Sequence, residues 1–214
     1  MNVVSDCVYQ ECSRGLMPWN SAVDFPAPAG SVRRAVTMGL MKAKQRILEI
    51  GSGNLRNGLF VMQEIPRVKY EVIETSATIS RFKSKYGEFE RQGGICLQDK
   101  PRIARYVVAI CTFVLETICP TAKRLELAKA IAKAIRKDGI FIGSFRGYPG
   151  VRGTKYKQCL AKESMITPRH TFVRPMSIPE VKELLEEVGL ACPSMLQQYR
   201  VDQPENIHVI ARMQ

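Results

Sequence analysis

The run Glu49-Ile-Gly51-Ser-Gly53 sets an acid and two glycines where a β-prone stretch, Ile47-Leu-Glu-Ile50, gives way to a helical one. Glycines at such a junction let the chain turn sharply and let a ligand approach the backbone closely. A second acid, Glu74, ends the next β-prone run, Tyr70-Glu-Val-Ile-Glu74, 21 residues beyond Gly53. A carboxylate at that spacing and place suits the two hydroxyls of a ribose. Together they predict a nucleoside-containing ligand gripped at the carboxyl end of a parallel sheet. The dinucleotide form of the motif needs a third glycine at position 56. The chain has Arg56 there, which speaks against an NAD-dependent oxidoreductase. Glu49 favours a ligand with an ammonium or sulfonium, because a carboxylate near such a cation is attracted to it.

A second concentration of chemistry lies in residues 146–174. Arg146, Arg152, Lys155, Lys157, Lys162, Arg169 and Arg174 face one acid, Glu163, with Tyr148, Tyr156 and Phe172 interleaved. Aromatic and cationic side chains together suit an anionic small molecule or a single-stranded nucleic acid. Gly147, Pro149, Gly150 and Gly153 make the segment read as a loop, and topology places it beside the reaction centre. From it, Arg146, Tyr148, Arg152 and Lys155 are the expected substrate-binding residues, joined by Trp19 from the N-terminal segment. His170 is the expected general base, since an imidazole titrates near neutral pH. Cys111 has Val and Ile neighbours, which predicts a buried, inert thiol rather than a nucleophile.

The elements that must position these residues follow from the pattern. Ser31 is placed to cap a helix carrying Val32, Ala35, Val36, Met38 and Leu40. A helix is expected from about Leu55 to Ile65, closed by Pro66, and a charged one from Ala77 to Arg91. Ile95-Cys-Leu-Gln98 and the nearly continuous apolar run Tyr106 to Cys111 read as strands, the latter covered on both faces. Residues 121–137 read as a helix, ended by Asp138-Gly139 before the strand Ile140 to Phe145. Ser177-Ile-Pro-Glu180 is a capping box opening a helix with Val181, Leu184, Leu185 and Val188 on one side. Two β-prone runs close the chain, Met195 to Val201 and Ile207 to Met213. The alternation predicts an α/β, Rossmann-like, doubly wound fold: a mostly parallel seven-stranded sheet whose last strand is antiparallel.

Composition bounds the rest. Of 214 residues, 45% are hydrophobic and 24% charged, which excludes a disordered or collagen-like chain. The net charge of +12 attracts anionic partners. Seven scattered cysteines without a C-x-x-C pair, and only two histidines, argue against a metal site and fit a reducing cytoplasm. No apolar run is long enough for a membrane span, so no membrane partner is expected. Residues 1–30, with Trp19 and the run Phe25-Pro-Ala-Pro-Ala-Gly30, form an N-terminal extension placed to act as a lid, and residues 31–214 form the main domain. The pattern does not fix an oligomeric state.

With these features in order, the chain resembles the class I S-adenosylmethionine-dependent methyltransferases over about residues 31–213. Their first motif is matched by Glu49, Gly51 and Gly53, and the acid ending their second strand by Glu74. Their fourth-strand segment looks like Val107 to Glu116, and their Lys-x-Gly-like turn like Lys137-Asp-Gly139. The resemblance implies S-adenosylmethionine as cofactor, with Asn54, Thr75, Asp99, Cys111, Thr112 and Phe113 joining the four motif residues around it. It implies a methyltransferase, and the charge pattern points to an anionic or aromatic small-molecule acceptor, since no nucleic-acid-binding module is appended. RNA or DNA methylation and a non-catalytic Rossmann-like binding protein are the alternatives. The DNA amino-methyltransferase signature after strand four is replaced here by Cys111-Thr-Phe-Val114.

Overall fold

Strands rich in β-branched residues, separated by amphipathic helices, have both faces to bury and therefore stack as the middle layer of three. The computed structural model describes residues 26–97, 101–118, 121–148, 157–158, 165–167, 171–191 and 205–214. Its elements are α1 (Gly30–Thr37), β1 (Arg46–Ile50), α2 (Arg56–Glu64), β2 (Lys69–Ile73), α3 (Ser76–Arg81) and α4 (Lys83–Arg91). They continue with β3 (Ile95–Leu97), β4 (Tyr106–Thr112), a 3-10 turn at Leu115–Thr117, α5 (Thr121–Ala134) and β5 (Ile135–Arg146). Then come β6 (Lys157–Gln158), β7 (Met165–Ile166), β8 (Phe172–Val173), α6 (Ile178–Glu187), β9 (Leu190–Ala191) and β10 (Asn206–Met213).

The main sheet has seven strands in the order β3-β2-β1-β4-β5-β10-β9. The first five run parallel, while β10 is antiparallel to both β5 and β9. Strand order reverses between β1 and β4, which pair Ile50 with Cys111, so a ligand crevice belongs at their carboxyl ends. One face packs Val32, Ala35, Val61, Tyr70, Phe89 and Val108 with α1, α2 and α4. The other packs Ala109, Ile131, Phe141, Val181 and Leu185 with α5 and α6.

The expected architecture is present, with local corrections. Ser31 does not cap α1: the helix starts one residue earlier, and Ser31 is buried inside it, Oγ 2.8 Å from Ser144 Oγ. Met38 lies beyond the helix and is exposed. The expected helix over 77–91 is two helices broken at Phe82. Helix α5 stops at Ala134, and β5 begins at Ile135, its pairing with β4 shifting register before the left-handed turn at Asp138 (φ 62°). The basic segment contains the short antiparallel sheet β6-β7-β8, where a loop was expected. Its strands are two residues long, too short for a periodicity to show in sequence. Leu190–Ala191 pairs with Arg212 and Met213, and the run 195–201 lies outside the described residues.

The capping box at Ser177 is fully formed: its Oγ accepts the Glu180 amide at 3.3 Å, and Glu180 Oε2 accepts the Ser177 amide at 2.7 Å. Ser177→Ala should lower stability by about 1 kcal/mol. The check is urea unfolding, where the midpoint should fall without a change of slope.

Candidate active site

Three left-handed residues shape the turn between β1 and α2: Gly51 (φ 69°), Gly53 (φ 55°) and Leu55 (φ 63°). Gly51 is doubly constrained. Besides its positive φ, a Cβ there would lie 2.3 Å from Val114 Cγ2, so the side chain after β4 rests directly on this glycine. Tyr86 of α4 braces the turn from outside, its hydroxyl donating to the Gly53 carbonyl at 3.0 Å and lying 2.9 Å from Ser52 Oγ. Where the dinucleotide motif needs a third glycine, Arg56 turns outward with its guanidinium 5.8 Å over the Phe113 ring. Close helix–strand approach falls instead at Gly58, where a Cβ would meet Tyr70 and Phe89 at 3.2 and 3.4 Å.

Glu49, which the sequence reading expected beside a cationic ligand, is held inside the fold by its own neighbours. It is 1% exposed, and its oxygens accept hydrogen bonds from Asn57 Nδ2 at 2.7 Å and the Tyr70 hydroxyl at 3.0 Å. Burial pushes its pKa up to about 7, against the pull of those donors and of Arg56. Asn57, which sequence reasoning missed, also donates to Thr112 Oγ1 at 3.1 Å and accepts the Ala29 amide at 2.8 Å. It ties β1, α2, β4 and the start of α1 together. Its only sequence signal is a polar side chain on the inward face of a helix.

Glu74 stands where the sequence placed it, half-buried at the tip of β2. Its Oε2 accepts the Gly53 amide and its Oε1 the Thr75 amide, each at 2.7 Å. Thr75 caps α3, accepting the Thr78 amide at 3.3 Å. Asn54 is buried in the turn, its Oδ1 3.3 Å from the Arg56 amide. It borders a cleft of about 240 Å³ with Pro26, Pro28, Arg56, Leu59 and Lys85. Cys111, expected near the cofactor, is 1% exposed in the core, and burial pushes its thiol well up, as its apolar neighbours predicted. Thr112 is spent on Asn57, and Phe113 carries Arg56. Arg146 and Tyr148 lie at the end of β5 on the same sheet edge. Trp19, Asp99, Arg152, Lys155 and His170 lie outside the described residues.

Glu116, which the sequence pattern marks only as the end of a strand-like segment, has a different setting. It sits fully buried in the turn after β4, with neither carboxylate oxygen hydrogen-bonded and Arg146 Nε 4.0 Å from Oε1. Among the described residues no cluster of metal-ligating side chains occurs, and no helix is long and apolar enough to cross a membrane.

No protein-family model and no curated protein matches the chain. Solved structures do. The CcbJ methyltransferase of Streptomyces caelestis is similar with a TM-score of 0.65 at 13% identity, over 89% of this chain and 93% of its own. A Burkholderia thailandensis 1,6-didemethyltoxoflavin-N1-methyltransferase gives 0.58 at 16% identity, over 86% of this chain and 78% of its own. A possible exported protein from Bordetella parapertussis gives 0.62 at 16% identity, and the match spans 86% of this chain and 66% of that protein. The chain thus has the Rossmann-like fold found in S-adenosylmethionine-dependent methyltransferases.

Gly51→Ala should destabilise by about 2–4 kcal/mol, combining the left-handed backbone penalty with overpacking against Val114. In a Val114→Ala background the same change should cost less. Equal penalties in the two backgrounds, measured by denaturant unfolding, would show that the Val114 contact is not the source.

Proposed function

We propose that the protein is an S-adenosylmethionine-dependent methyltransferase acting on an anionic or aromatic small molecule. The observation that carries this reading is the Glu74 carboxylate on the Gly53 amide, at the carboxyl edge where strand order reverses. Each oxygen accepts one amide and keeps a second acceptor site, which fits the vicinal hydroxyls of a ribose. When bound, the cofactor supplies a methyl group made electrophilic by its sulfonium. Glu49 contributes from beneath, fixing the turn through Asn57 and Tyr70. Arg56 and Lys85, both on the cleft beside Asn54, give the cofactor's carboxylate a cationic wall.

For the acceptor, Arg146 and Tyr148 open the basic segment 146–174 at the end of β5, and Phe172 within it is buried against the fold. A cation beside aromatic surface favours flat or anionic molecules. The Burkholderia relative, with 1,6-didemethyltoxoflavin and S-adenosylhomocysteine bound, supports a small-molecule acceptor by analogy of fold. A second reading, a non-catalytic binding protein, draws support from Glu49, whose carboxylate is wholly engaged inside the fold.

Calorimetry separates the two. S-adenosylhomocysteine should bind, and Glu74→Ala should weaken it by about 10- to 100-fold, the loss of charge-assisted hydrogen bonds. Absence of heat with this ligand and with S-adenosylmethionine would reject the cofactor assignment.

A further inference from the structure

We propose that Glu116 is the proton acceptor of the reaction, taking the hydrogen of the acceptor's nucleophilic O–H or N–H beside the Arg146 guanidinium. The inference rests on the transferase reading above. A buried carboxylate without hydrogen bonds costs several kcal/mol, and native structures rarely keep one without a use. Glu116 is 0% exposed, neither of its oxygens has a hydrogen-bond partner, and its ion pair with Arg146 stands at 4.0 Å.

Its surroundings fix the carboxylate without satisfying it. Arg124 of α5, itself buried, gives Nε to the Leu115 carbonyl at 2.7 Å and Nη2 to the Ile118 carbonyl at 3.1 Å, clamping the turn rather than the acid. The Glu116 carbonyl accepts the Arg174 amide at 2.8 Å, and the Arg174 guanidinium is paired with Glu180 at 2.6 Å. Arg146, at the end of β5, is close enough to attract the carboxylate at 4.0 Å but too far to close a hydrogen bond. Among the described residues Cys111 of β4 is a further titratable neighbour, and Glu116 helps hold its thiol protonated. Burial outweighs the two guanidinium groups and the nearby amides of Glu116 and Arg146, and pushes the Glu116 pKa up to about 7. A base with that pKa is suited to neutral pH.

Location links the residue to the reaction. The turn that carries Glu116 begins at Val114, which rests on Gly51. The chain that carries Glu116 thus leads directly off the residue that packs on the candidate cofactor turn. In the step, the acceptor's heteroatom forms a bond to the methyl carbon and the carbon–sulfur bond breaks. Its electron pair stays on sulfur, giving a neutral thioether, and the heteroatom's proton passes to Glu116.

The test uses Glu116→Gln and Glu116→Asp in the full chain, with two readouts. First is thermal unfolding at pH 5 and pH 8. A carboxyl pKa raised in the fold means stability is whole below the ordinary carboxylate range and falls as pH rises to about 7. Glu116→Gln should therefore raise the melting temperature at pH 8 and change it little at pH 5. No gain at pH 8 would mean the carboxylate is satisfied in solution and would overturn the proposal. Second is transfer of tritium from S-[methyl-³H]adenosylmethionine to the small-molecule fraction of a cell extract. Glu116→Gln should slow it by about 100-fold or more and remove the rate limb that rises through pH 7. Glu116→Asp should recover part of the rate, with S-adenosylhomocysteine affinity unchanged in both variants. Transfer by Glu116→Gln at the wild-type rate overturns the proposal alone. Wild-type protein that binds cofactor but transfers nothing overturns the transferase reading with it.

Discussion

One buried carboxylate organises the candidate site from inside the fold. Glu49 leaves the end of β1 pointing into the protein, where Asn57 from α2 and Tyr70 from β2 donate to it. Burying a charge-bearing group is unfavourable unless such donors are in place, so these elements must arrive together for any of them to be stable there. Asn57 extends the requirement to β4 through Thr112 and to the start of α1 through Ala29. Side-chain networks of this kind specify one arrangement of strands and helices, because a partly satisfied network is worse than none.

The glycine turn inherits its shape from that anchor. With β1 and α2 fixed at both ends, the chain between them passes through three left-handed residues. Val114 closes one side of the turn, and Tyr86 the other. What remains presented at the sheet edge is the Gly53 amide with Glu74 on it, and across the reversal of strand order the ends of β4 and β5. The candidate binding surface is thus the part of the turn that the protein's own packing leaves uncovered, not the whole glycine motif.

Much of the scaffold could be read from residues because the relevant forces are local and periodic. The apolar run at Tyr106 to Cys111 is a strand with no exposed face, and the capping box at Ser177 starts a helix as its chemistry demands. Where tertiary contacts override local preference, the reading failed. Ser31 has the side chain of a cap, but its hydroxyl meets Ser144, which in turn lies 2.8 Å from His208 Nδ1, so the helix begins without a cap bond. The charged helix breaks at Phe82, whose backbone leaves the helical range (φ −111°, ψ 31°) while its ring is buried beneath Arg81 and Lys85. Glu74 was legible because an acid at the tip of a strand has little choice of direction. Glu49, one residue inside its strand end, had two, and no pattern in the sequence says which face its neighbour across the sheet will occupy.

The two fully buried acids show why titration behaviour alone does not mark a functional group. Burial raises both Glu49 and Glu116 to about 7, by the same cause and to the same extent. Their hydrogen bonds differ completely. Glu49 has a donor on each oxygen, so its desolvation is compensated inside the fold and its role ends there. Glu116 has no side-chain donor on either oxygen, although Arg146 Nε lies 4.0 Å away. Arg124 gives Nε and Nη2 to carbonyls of the same turn, and Arg146 stops at 4.0 Å. A fold that merely tolerated this carboxylate would gain by letting either guanidinium close on it. Held as it is, the acid keeps both oxygens able to receive a proton donor that the chain itself does not provide, at the edge of the sheet where the acceptor is expected.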